Sequence, residues 1–348
     1  MGNGVAPIRR LLGGGAAVTI GGALASAGVL AAQVQQARRH IPRAEAPPPR
    51  GTGWYGGRRG RPALDLVMLG DSSAAGYGVH KPRETPGALL ATGISRRLGR
   101  PVRYHCLAVV GATSHRLAPQ VEAALELHPD LAVIVVGGND VTHRANRAAA
   151  VRYLAQAVRQ LQAAGTQVVV GTCPDLGTIR PIRPPLRWLA GRWSRQLAAA
   201  QTVAAVEAGA WTVSLGDLLG PRFAAEPHRM FGRDGFHPSA DGYAAAAAVL
   251  LPTALAALGV GDPRALAGPR VRSLPLAAHE ASRHAGTEVS GASVAGRDRG
   301  PGGRWAALRT RMAAAIRPPA AEPQSTVTRA AAAEPETPDP TPEPLERR

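Results

Sequence analysis

The chain has 348 residues, of which 45% are apolar, so it can hold one or two globular domains with a substantial core. Only 4% of the residues are aromatic, so Ala, Val and Leu must fill most of that core. The formal net charge is +17, carried almost entirely by arginines scattered among Ala, Gly and Pro, without the motifs of nucleic-acid readers. Nucleic acid is therefore not expected as a partner. The charge instead fits attraction to anionic lipid or wall polymers, or a compositional bias of the genome.

The N-terminal part of the chain contains an uncharged run at residues 11–32, which follows a short basic segment at residues 1–10. The run is long enough for a membrane-spanning helix. The basic residues before it and the small residues 25–27 within it equally fit a cleaved signal peptide. A Gly/Ala-rich leader is a third interpretation. An anchor or a signal is favoured, and either predicts a membrane-anchored or exported protein with an extracytoplasmic catalytic domain. Residues 33–61 are rich in Pro, Gly and Arg and are interpreted as a linker.

Residues 62–260 alternate short apolar runs with longer helical patterns, which predicts a parallel sheet covered by helices on both faces. The predicted strands are residues 64–69, 102–108, 131–136, 167–172 and 211–215, and the predicted helices are residues 85–98, 115–127, 146–164, 186–209 and 239–257. The fold class is therefore α/β, a three-layer α/β/α sandwich with a five-stranded parallel sheet. Ligands of such sheets bind beyond the carboxyl ends of the strands, so the residues that follow each strand are the candidates for chemistry.

The periodicity ends at residue 260. Residues 261–348 are rich in Pro, Ala, Arg and Gly and are interpreted as a disordered low-complexity tail. Within this tail, four apolar residues are spaced for one face of a helix with arginines around them: Trp305, Leu308, Met312 and Ile316. This pattern fits either contact with a membrane surface or a transient helix.

Three predicted strands end in short polar or glycine-containing segments. Ser72, in the segment GDSS, lies where the first strand turns towards a helix, so its hydroxyl is exposed at the sheet edge. Gly111 follows the second strand and allows a backbone N–H to approach a substrate closely. Asn139, in the segment GGND, follows the third strand and offers side-chain N–H donors. A turn or a helix cap also explains each segment when it is taken alone.

A fourth segment, DGFHP, precedes the last predicted helix and brings a carboxylate and an imidazole together. Asp234 lies three residues before His237, so it can hydrogen-bond the imidazole and fix the tautomer that a general base needs. A surface loop would explain either residue alone. It does not explain why the pair accompanies the three earlier segments.

In this order, the four segments resemble the blocks of the SGNH (GDSL-type) hydrolase family, whose named residues are Ser, Gly, Asn and His. The resemblance covers about residues 64–257, and its glycine block is the most loosely defined. Ser73 stands where the literal GDSL string has Leu, which leaves the catalytic positions unchanged. The resemblance implies a flavodoxin-like SGNH hydrolase fold and an esterase that acts on short acyl or acetyl esters of a lipid or glycan.

The resemblance also implies a role for each matching residue. Ser72 would attack the ester carbonyl, His237 would take its proton, and Asp234 would stabilise the imidazolium. The backbone N–H groups of Ser72 and Gly111 and the amide of Asn139 would form the oxyanion hole. Three further polar residues beside these segments are candidate substrate-binding residues: Asp71, Asp140 and His143.

Two other enzyme classes fit the sequence less well. An ordinary α/β-hydrolase needs Gly-x-Ser-x-Gly, whereas Ala74 replaces the second glycine. A dinucleotide site needs Gly-x-Gly-x-x-Gly, which residues 70–78 lack. Two other functions remain open: an acyltransferase that passes the acyl group to a sugar or glyceryl hydroxyl, and a non-catalytic envelope-binding module. The oligomeric state is not predicted by any pattern in the chain.

The remaining polar and sulfur-containing residues suggest no cofactor. Cys106 and Cys173 lie in strand-like runs and are interpreted as buried small residues. No spacing of His, Cys or carboxylate residues matches a metal site, so neither a metal nor a cofactor is expected. Asp175 and the arginines of residues 180–195 follow the fourth strand. They fit either a solvated surface or a pocket wall that attracts an anionic substrate or interface.

Overall fold

The computed structural model describes residues 28–37, 39, 47–57 and 61–260, together with the backbone of residues 272–273, 292–294 and 297–299. The strands of the main sheet are β1 (Gly53–Tyr55), β2 (Leu64–Gly70), β3 (Val102–Cys106), β4 (Leu131–Val135), β5 (Gln167–Gly171) and β6 (Trp211–Val213). The helices are α1 (residues 28–37), α2 (Ser72–Ala75), α3 (Pro86–Leu98), α4 (Leu117–Glu126), α5 (Gly138–Thr142), α6 (Arg147–Ala163), α7 (Leu186–Glu207), α8 (Leu215–Ala225), α9 (Pro227–Met230) and α10 (Ala240–Ala257).

The main sheet has six strands in the order β1-β3-β2-β4-β5-β6. Strands β2 to β6 are parallel, and β1 pairs antiparallel with the outer edge of β3. The first parallel strand of the chain, β2, thus lies between the next two, β3 and β4, which is the flavodoxin-like order. The order reverses between β2 and β4, so the ends of these two strands form the switch point at which ligands bind in such sheets.

Helices cover both faces of the sheet. Strand side chains point alternately to the two faces. Leu66 of β2 packs in a buried cluster with α3 and α10, whereas Val67 packs in a second buried cluster with α4 and α6. The strands are apolar along their whole length because both of their faces are buried. The predicted three-layer sandwich is confirmed.

The ends of the predicted strands and helices differ by only a few residues from the structure, but several short helices and the edge strand β1 had no clear pattern. Strand β1 lies inside the stretch interpreted as a linker. Its conformation depends on pairing with β3, a partner about fifty residues away, so local composition does not reveal it. The folded part of the chain therefore extends before residue 62. Helices α2, α5, α8 and α9 were missed because they are short or contain internal Gly and Pro.

The turn after β2 is fixed by backbone geometry and by one buried glutamine. Gly70 has a φ of +133°, and a Cβ at this position would lie 1.8 Å from the carbonyl oxygen of Val135. Only glycine therefore fits. The buried Gln120 of α4 accepts a hydrogen bond from the Gly70 N–H at 2.7 Å and donates one to the Gly70 carbonyl at 3.0 Å. These contacts fix the direction in which the chain leaves the sheet towards Ser72.

Helix α1 packs against the sandwich rather than extending away from it. Leu30, Val34 and Ala37 lie at intervals of four and three residues, which places them on one helix face, and all three pack against the larger core cluster. The Gln33 amide donates a hydrogen bond to the Pro184 carbonyl at 2.6 Å. Its oxygen accepts one from the backbone N–H of Leu186 at 3.1 Å, at the first residue of α7.

Most of the predicted anchor or signal at residues 11–32 lies outside the described residues, and only residues 28–32 fall within α1. Among the residues that the structure describes, one helix, Ala240–Ala257, is long and apolar enough to cross a bilayer. This helix is α10, which packs on α3 and on the sheet. A core helix passes the same test, so α10 is weak evidence for a membrane anchor.

The C-terminal stretch interpreted as a tail contains three short strands, β7 (Arg272–Ser273), β8 (Ala292–Val294) and β9 (Arg297–Arg299). Strand β8 pairs parallel with β7 and antiparallel with β9. Two- and three-residue strands leave no periodicity that a sequence pattern could show. The helical pattern predicted between Trp305 and Ile316 lies outside the described residues.

Candidate active site

The structure brings Ser72, His237 and Asp234 together at the carboxyl edge of the sheet. The Ser72 Oγ lies 3.0 Å from the His237 Nε2. The His237 Nδ1 lies 2.6 Å from the Asp234 Oδ2. A serine within hydrogen-bond distance of an imidazole that a carboxylate orients is the arrangement that activates a hydroxyl for attack on a carbonyl carbon.

The Asp234 carboxylate is fixed from both sides. Its Oδ2 faces the imidazole, and its Oδ1 accepts hydrogen bonds from the backbone N–H groups of Phe236 and His237 at 2.9 and 3.0 Å. Burial raises the pKa of Asp234, but hydrogen bonds from His237 and Phe236 and the charge of the imidazole outweigh it, and the net pKa is lowered. Asp234 is therefore ionised at neutral pH and can stabilise an imidazolium.

Two aromatic rings enclose the imidazole of His237. The Tyr77 ring lies 4.3 Å from it between centroids, and the Phe236 ring lies 4.9 Å from it, both edge to face. The Tyr243 hydroxyl donates a hydrogen bond to the Tyr77 carbonyl at 2.6 Å and so links this loop to α10. These contacts restrict the ring's rotation. Sequence patterns did not indicate Tyr77, because nothing in its own segment marks it.

Asp71 directly precedes the serine and caps α2. Its Oδ1 accepts a hydrogen bond from the Ser73 N–H at 2.9 Å, and its side chain is buried. Burial raises the pKa of Asp71 to about 6, although the Ser73 hydrogen bond and the charge of His237 act in the opposite direction. The ionised form is therefore stabilised less well in the folded protein than in the unfolded chain.

This raised pKa predicts a pH-dependent stability. Between pH 3.8 and about 6 the folded state binds more protons at Asp71 than the unfolded state, so the contribution of Asp71 is fully present below this window and is lost as pH rises through it. The loss amounts to about 3 kcal/mol. Asp71→Asn cannot ionise, so its free energy of unfolding in urea should rise relative to that of wild type by most of this amount between pH 4 and pH 7. If the free energies of unfolding of wild type and variant differ by the same amount at both pH values, the prediction is wrong.

Besides Ser72, the two other expected oxyanion-hole residues follow β3 and β4. Asn139, in the first turn of α5, donates a side-chain hydrogen bond to the carbonyl of Ala112 at 3.0 Å. Gly111 has a φ of +78°, and a Cβ built there meets no atom within 4 Å, so its backbone borders open space. The backbone N–H of Val109 donates to the Gly70 carbonyl at 3.1 Å, which ties this loop to the strand before Ser72.

The three candidate substrate-binding residues are placed differently from one another. Asp140 is buried and accepts hydrogen bonds from the backbone N–H and the hydroxyl of Ser114. Burial raises its pKa, and the Ser114 contacts partly offset this. Asp71 and Asp140 thus both accept hydrogen bonds that support the surrounding loops, and Asp71 also lines a cavity beside Ser72. His143 is exposed, and its Nδ1 lies 2.9 Å from the Asn139 carbonyl.

A narrow cavity of about 100 Å³ opens beside Ser72 and Asn139. It runs between α8 and α10, and its walls are mostly apolar, although Asp71 and Asp175 also line it. The aliphatic and aromatic side chains that line it include Leu176, Ile179, Leu215, Leu219, Phe223 and Leu250. A non-polar group attached to a carbonyl at Ser72 would enter this cavity without leaving a buried polar atom unpaired.

A wide cleft of about 740 Å³ lies next to it, between α5, α7 and α1. Phe236 lines both spaces. The cleft is lined by Val34, Ala37, Thr142, His143, Arg144 and Trp193, among others. Sequence patterns indicated neither Phe236 nor Arg144 as part of a binding surface, because the cleft forms only when three separate helices meet.

The arginine-rich stretch at residues 180–195 forms the start of α7 and the loop before it. Its apolar residues line the wide cleft, but its arginines do not. Arg195 forms an ion pair with Asp175 at 3.1 Å, and Arg180 donates to the Ala224 carbonyl. Among the described residues, no group of three His, Cys, Asp or Glu side chains is placed to bind a metal ion. Cys106 and Cys173 are both free thiols.

The three-layer sandwich and the Ser-His-Asp arrangement are typical of a serine hydrolase, and comparison with known proteins agrees. The model of the GDSL-like lipase/acylhydrolase family matches residues 68–245. The chain belongs to this family and is a serine hydrolase that acts on ester bonds. The resemblance predicted from the four segments is thereby confirmed.

Among similar proteins, the GDSL-like esterase Rv1075c of Mycobacterium tuberculosis (strain ATCC 25618 / H37Rv) is 43% identical in an alignment of 253 residues that covers 67% of this chain and 81% of that protein. Solved structures include a lipase/acylhydrolase from Enterococcus faecalis, with 22% identity, a TM-score of 0.43 and coverage of 54% of this chain and 93% of that one. The psychrotrophic esterase EstA from Pseudoalteromonas sp. has 19% identity and a TM-score of 0.45, with coverage of 56% and 98%.

Proposed function

We propose that the protein hydrolyses esters of short acyl groups, with Ser72 as the nucleophile, His237 as the general base and Asp234 as the residue that orients it. The observation that carries the proposal is the continuous contact from the Asp234 carboxylate through the imidazole to the Ser72 hydroxyl. This contact ends at the mouth of the narrow cavity, where the acyl group of a substrate would lie.

The size of the narrow cavity supports a short acyl group. An apolar cavity of about 150 Å³ accommodates benzene. The narrow cavity measures about 100 Å³, so it suits an acyl group of a few carbon atoms, such as acetyl or butyryl. We therefore expect the catalytic efficiency to fall as the acyl chain lengthens beyond this size.

The proposed reaction has two halves that use the same residues. The Ser72 oxygen bonds to the ester carbonyl carbon while its proton moves to the His237 Nε2. The tetrahedral intermediate then collapses, the alcohol leaves with that proton, and an acyl-serine remains. A water molecule next gives its proton to His237 and attacks the acyl carbon. The bond between the acyl carbon and the Ser72 oxygen then breaks, the acid leaves, and His237 returns the proton to that oxygen. Donors at Ser72 N, Gly111 N and Asn139 Nδ2 would stabilise the oxyanion in both halves.

Two measurements on the full chain test this proposal. The first is the hydrolysis of p-nitrophenyl acetate, butyrate and octanoate. The second is reaction with a fluorophosphonate, followed by peptide mass spectrometry. We expect turnover that is greatest for the short esters and a stoichiometric adduct on Ser72. An adduct on another residue, or turnover that persists after complete labelling of Ser72, would overturn the proposed nucleophile.

Asn139→Ala tests the proposed oxyanion hole. Removing one oxyanion donor typically lowers kcat by about 10²–10³. We expect such a loss here with little change in KM, because the donor acts mainly on the transition state. Asn146→Ala is the matched control. The Asn146 side chain caps α6 by accepting from the Ala149 N–H at 3.1 Å, so the control should lose about 1 kcal/mol of stability but keep its kcat. Equal kcat losses in both variants would refute the assignment.

An acyltransferase would use the same acyl-enzyme but pass the group to an alcohol. Product analysis with glycerol or a sugar as the acceptor separates the two reactions, because hydrolysis releases the acyl group as free acid whereas transfer leaves it as an ester of the acceptor. A non-catalytic envelope-binding module would bind esters without turnover. The intact contact between Ser72, His237 and Asp234 supports an enzyme instead.

We further propose that the protein is exported or anchored in the membrane by its N-terminal segment, with the catalytic domain outside the cytoplasm. The support is the uncharged run at residues 11–32, preceded by Arg9 and Arg10. A lipid or a glycan of the cell envelope is then the expected source of the ester. Fractionation of cells that express the full chain, with and without residues 1–32, tests this: recovery of both proteins in the cytosol would contradict it.

A further inference from the structure

The wide cleft lies directly beside the proposed catalytic residues. Thr142 and His143, which line it, lie at the end of the helix that carries Asn139. Phe236, which precedes His237, lines both the cleft and the narrow cavity. An ester bound at Ser72 with its acyl group in the narrow cavity would therefore have its alcohol portion on the side of the cleft.

Helix α1 completes the cleft from outside the family domain, which begins at residue 68. Val34 and Ala37 line the cleft. They lie on the face of α1 that packs on the core, and the two hydrogen bonds of Gln33 fix that helix against the start of α7. The Gln33 side chain thus binds one backbone carbonyl and one backbone N–H of the segment before and at the start of α7. Sliding or rotating α1 would therefore break both hydrogen bonds.

The lining of the cleft indicates the chemistry of its ligand. Trp193, Phe236 and several aliphatic side chains offer an apolar surface. The Arg144 guanidinium lies 5.8 Å from the centre of the Trp193 ring, and His143 lies beside it. Among the described residues that line the cleft, none is Asp or Glu. An apolar surface with a cation and no carboxylate in its lining suits a ligand that is mostly apolar and bears an anionic group.

We infer that the wide cleft binds the alcohol portion of the ester, that this alcohol is bulky and apolar with an anionic group directed at Arg144, and that α1 determines this preference. The inference rests on the proposed esterase function. The cleft, at about 740 Å³, is much larger than the narrow cavity of about 100 Å³, so the alcohol is the larger part of the substrate.

The test varies the alcohol and keeps the acyl group constant. Every acetate ester gives the same acetyl-enzyme, and the intrinsic reactivity of each ester is the same for every variant. The ratio of a variant's kcat/KM to that of wild type therefore reports how the alcohol is bound during acylation. The probes are p-nitrophenyl acetate, 1-acetoxypyrene and 8-acetoxypyrene-1,3,6-trisulfonate, each assayed with the full chain. Ala37→Trp narrows the cleft. Ala31→Trp, on the exposed face of the same helix, is the matched control. Arg144→Gln removes the cation.

We expect Ala37→Trp to lower kcat/KM for both pyrene esters by about tenfold or more and to leave p-nitrophenyl acetate within about twofold. Ala31→Trp should leave all three values unchanged. Arg144→Gln should lower kcat/KM for the trisulfonate by about tenfold and leave neutral 1-acetoxypyrene within about twofold. Arg144 is exposed, so this variant keeps the inference testable even where Ala37→Trp fails to fold.

The outcomes separate this inference from the function on which it rests. Wild-type protein that hydrolyses none of the esters would refute the esterase function itself. If wild type hydrolyses the esters but Ala37→Trp lowers kcat/KM equally for the small and the bulky esters, the role of α1 is refuted. The same holds if Ala31→Trp lowers kcat/KM as much as Ala37→Trp does. In both cases the esterase function itself still stands. If Arg144→Gln lowers kcat/KM equally for the neutral and the anionic pyrene esters, the proposal that the alcohol bears an anionic group is refuted.

Discussion

Replacing Ser72 with alanine is expected to lower kcat for p-nitrophenyl acetate by about 10⁶, to the small residual rate that binding and oxyanion donors alone supply. The variant has no hydroxyl to form the acyl-enzyme, so both halves of the proposed reaction are lost. KM should change little, because the methyl side chain leaves the narrow cavity open. Steady-state kinetics with highly purified protein measure the residual rate.

The adjacent serine provides the control for this experiment. Ser73 follows Ser72 directly, and its backbone N–H contacts the Asp71 carboxylate, a contact that Ser73→Ala retains. We expect Ser73→Ala to stay within about threefold of the wild-type kcat, since the Ser73 hydroxyl has no place in the proposed proton transfer. A loss in Ser73→Ala as large as that in Ser72→Ala would show that the assignment of the nucleophile is wrong.

Asp234→Asn is expected to lower kcat by about 10⁴ at neutral pH, the size of loss that this change causes in serine proteases. The asparagine oxygen can still accept the backbone hydrogen bonds of Phe236 and His237, so the loop should keep its shape. Its NH₂ group would then face the His237 Nδ1. That atom would become an acceptor, and the proton would move to Nε2, which could no longer receive the proton of Ser72.

Asp241→Asn is the matched control for this variant. Asp241 is an exposed carboxylate on α10 that pairs with Arg229 at 2.6 Å, and it lies outside the proposed site. We expect its kcat to remain within about twofold of wild type, because an exposed ion pair contributes little to the fold. Thermal unfolding of both variants checks that they are folded. An Asp234→Asn enzyme with nearly full activity would exclude the proposed role of this carboxylate.

Local patterns predicted much of the fold because they depend on near neighbours in the chain. An apolar run of five to seven residues followed by a helical period predicts a buried parallel strand and its crossover, wherever the strand lies in the sheet. The antiparallel edge strand β1 has no such pattern. Its three residues become a strand only through pairing with β3, and Trp54 remains exposed on the outer edge.

The site shows the same division. Asp234 and His237 are three residues apart, so their contact could be predicted from one loop, and the GDSS and GGND segments marked the ends of their strands. Gln120 lies on a helix with no motif, although its two hydrogen bonds fix the turn before the serine. Its role follows from a backbone position fifty residues away, which no local pattern encodes.

The sequence by itself determined the class of fold and the identity of the residues that we propose for catalysis, because strand periodicity and short motifs are local properties of the chain. Only the tertiary structure decided that Ser72 and His237, 165 residues apart, lie within 3.0 Å of each other. It also decided the substrate space. The narrow cavity and the wide cleft lie between helices distant in sequence, and the size and charge of such spaces depend on how those helices pack.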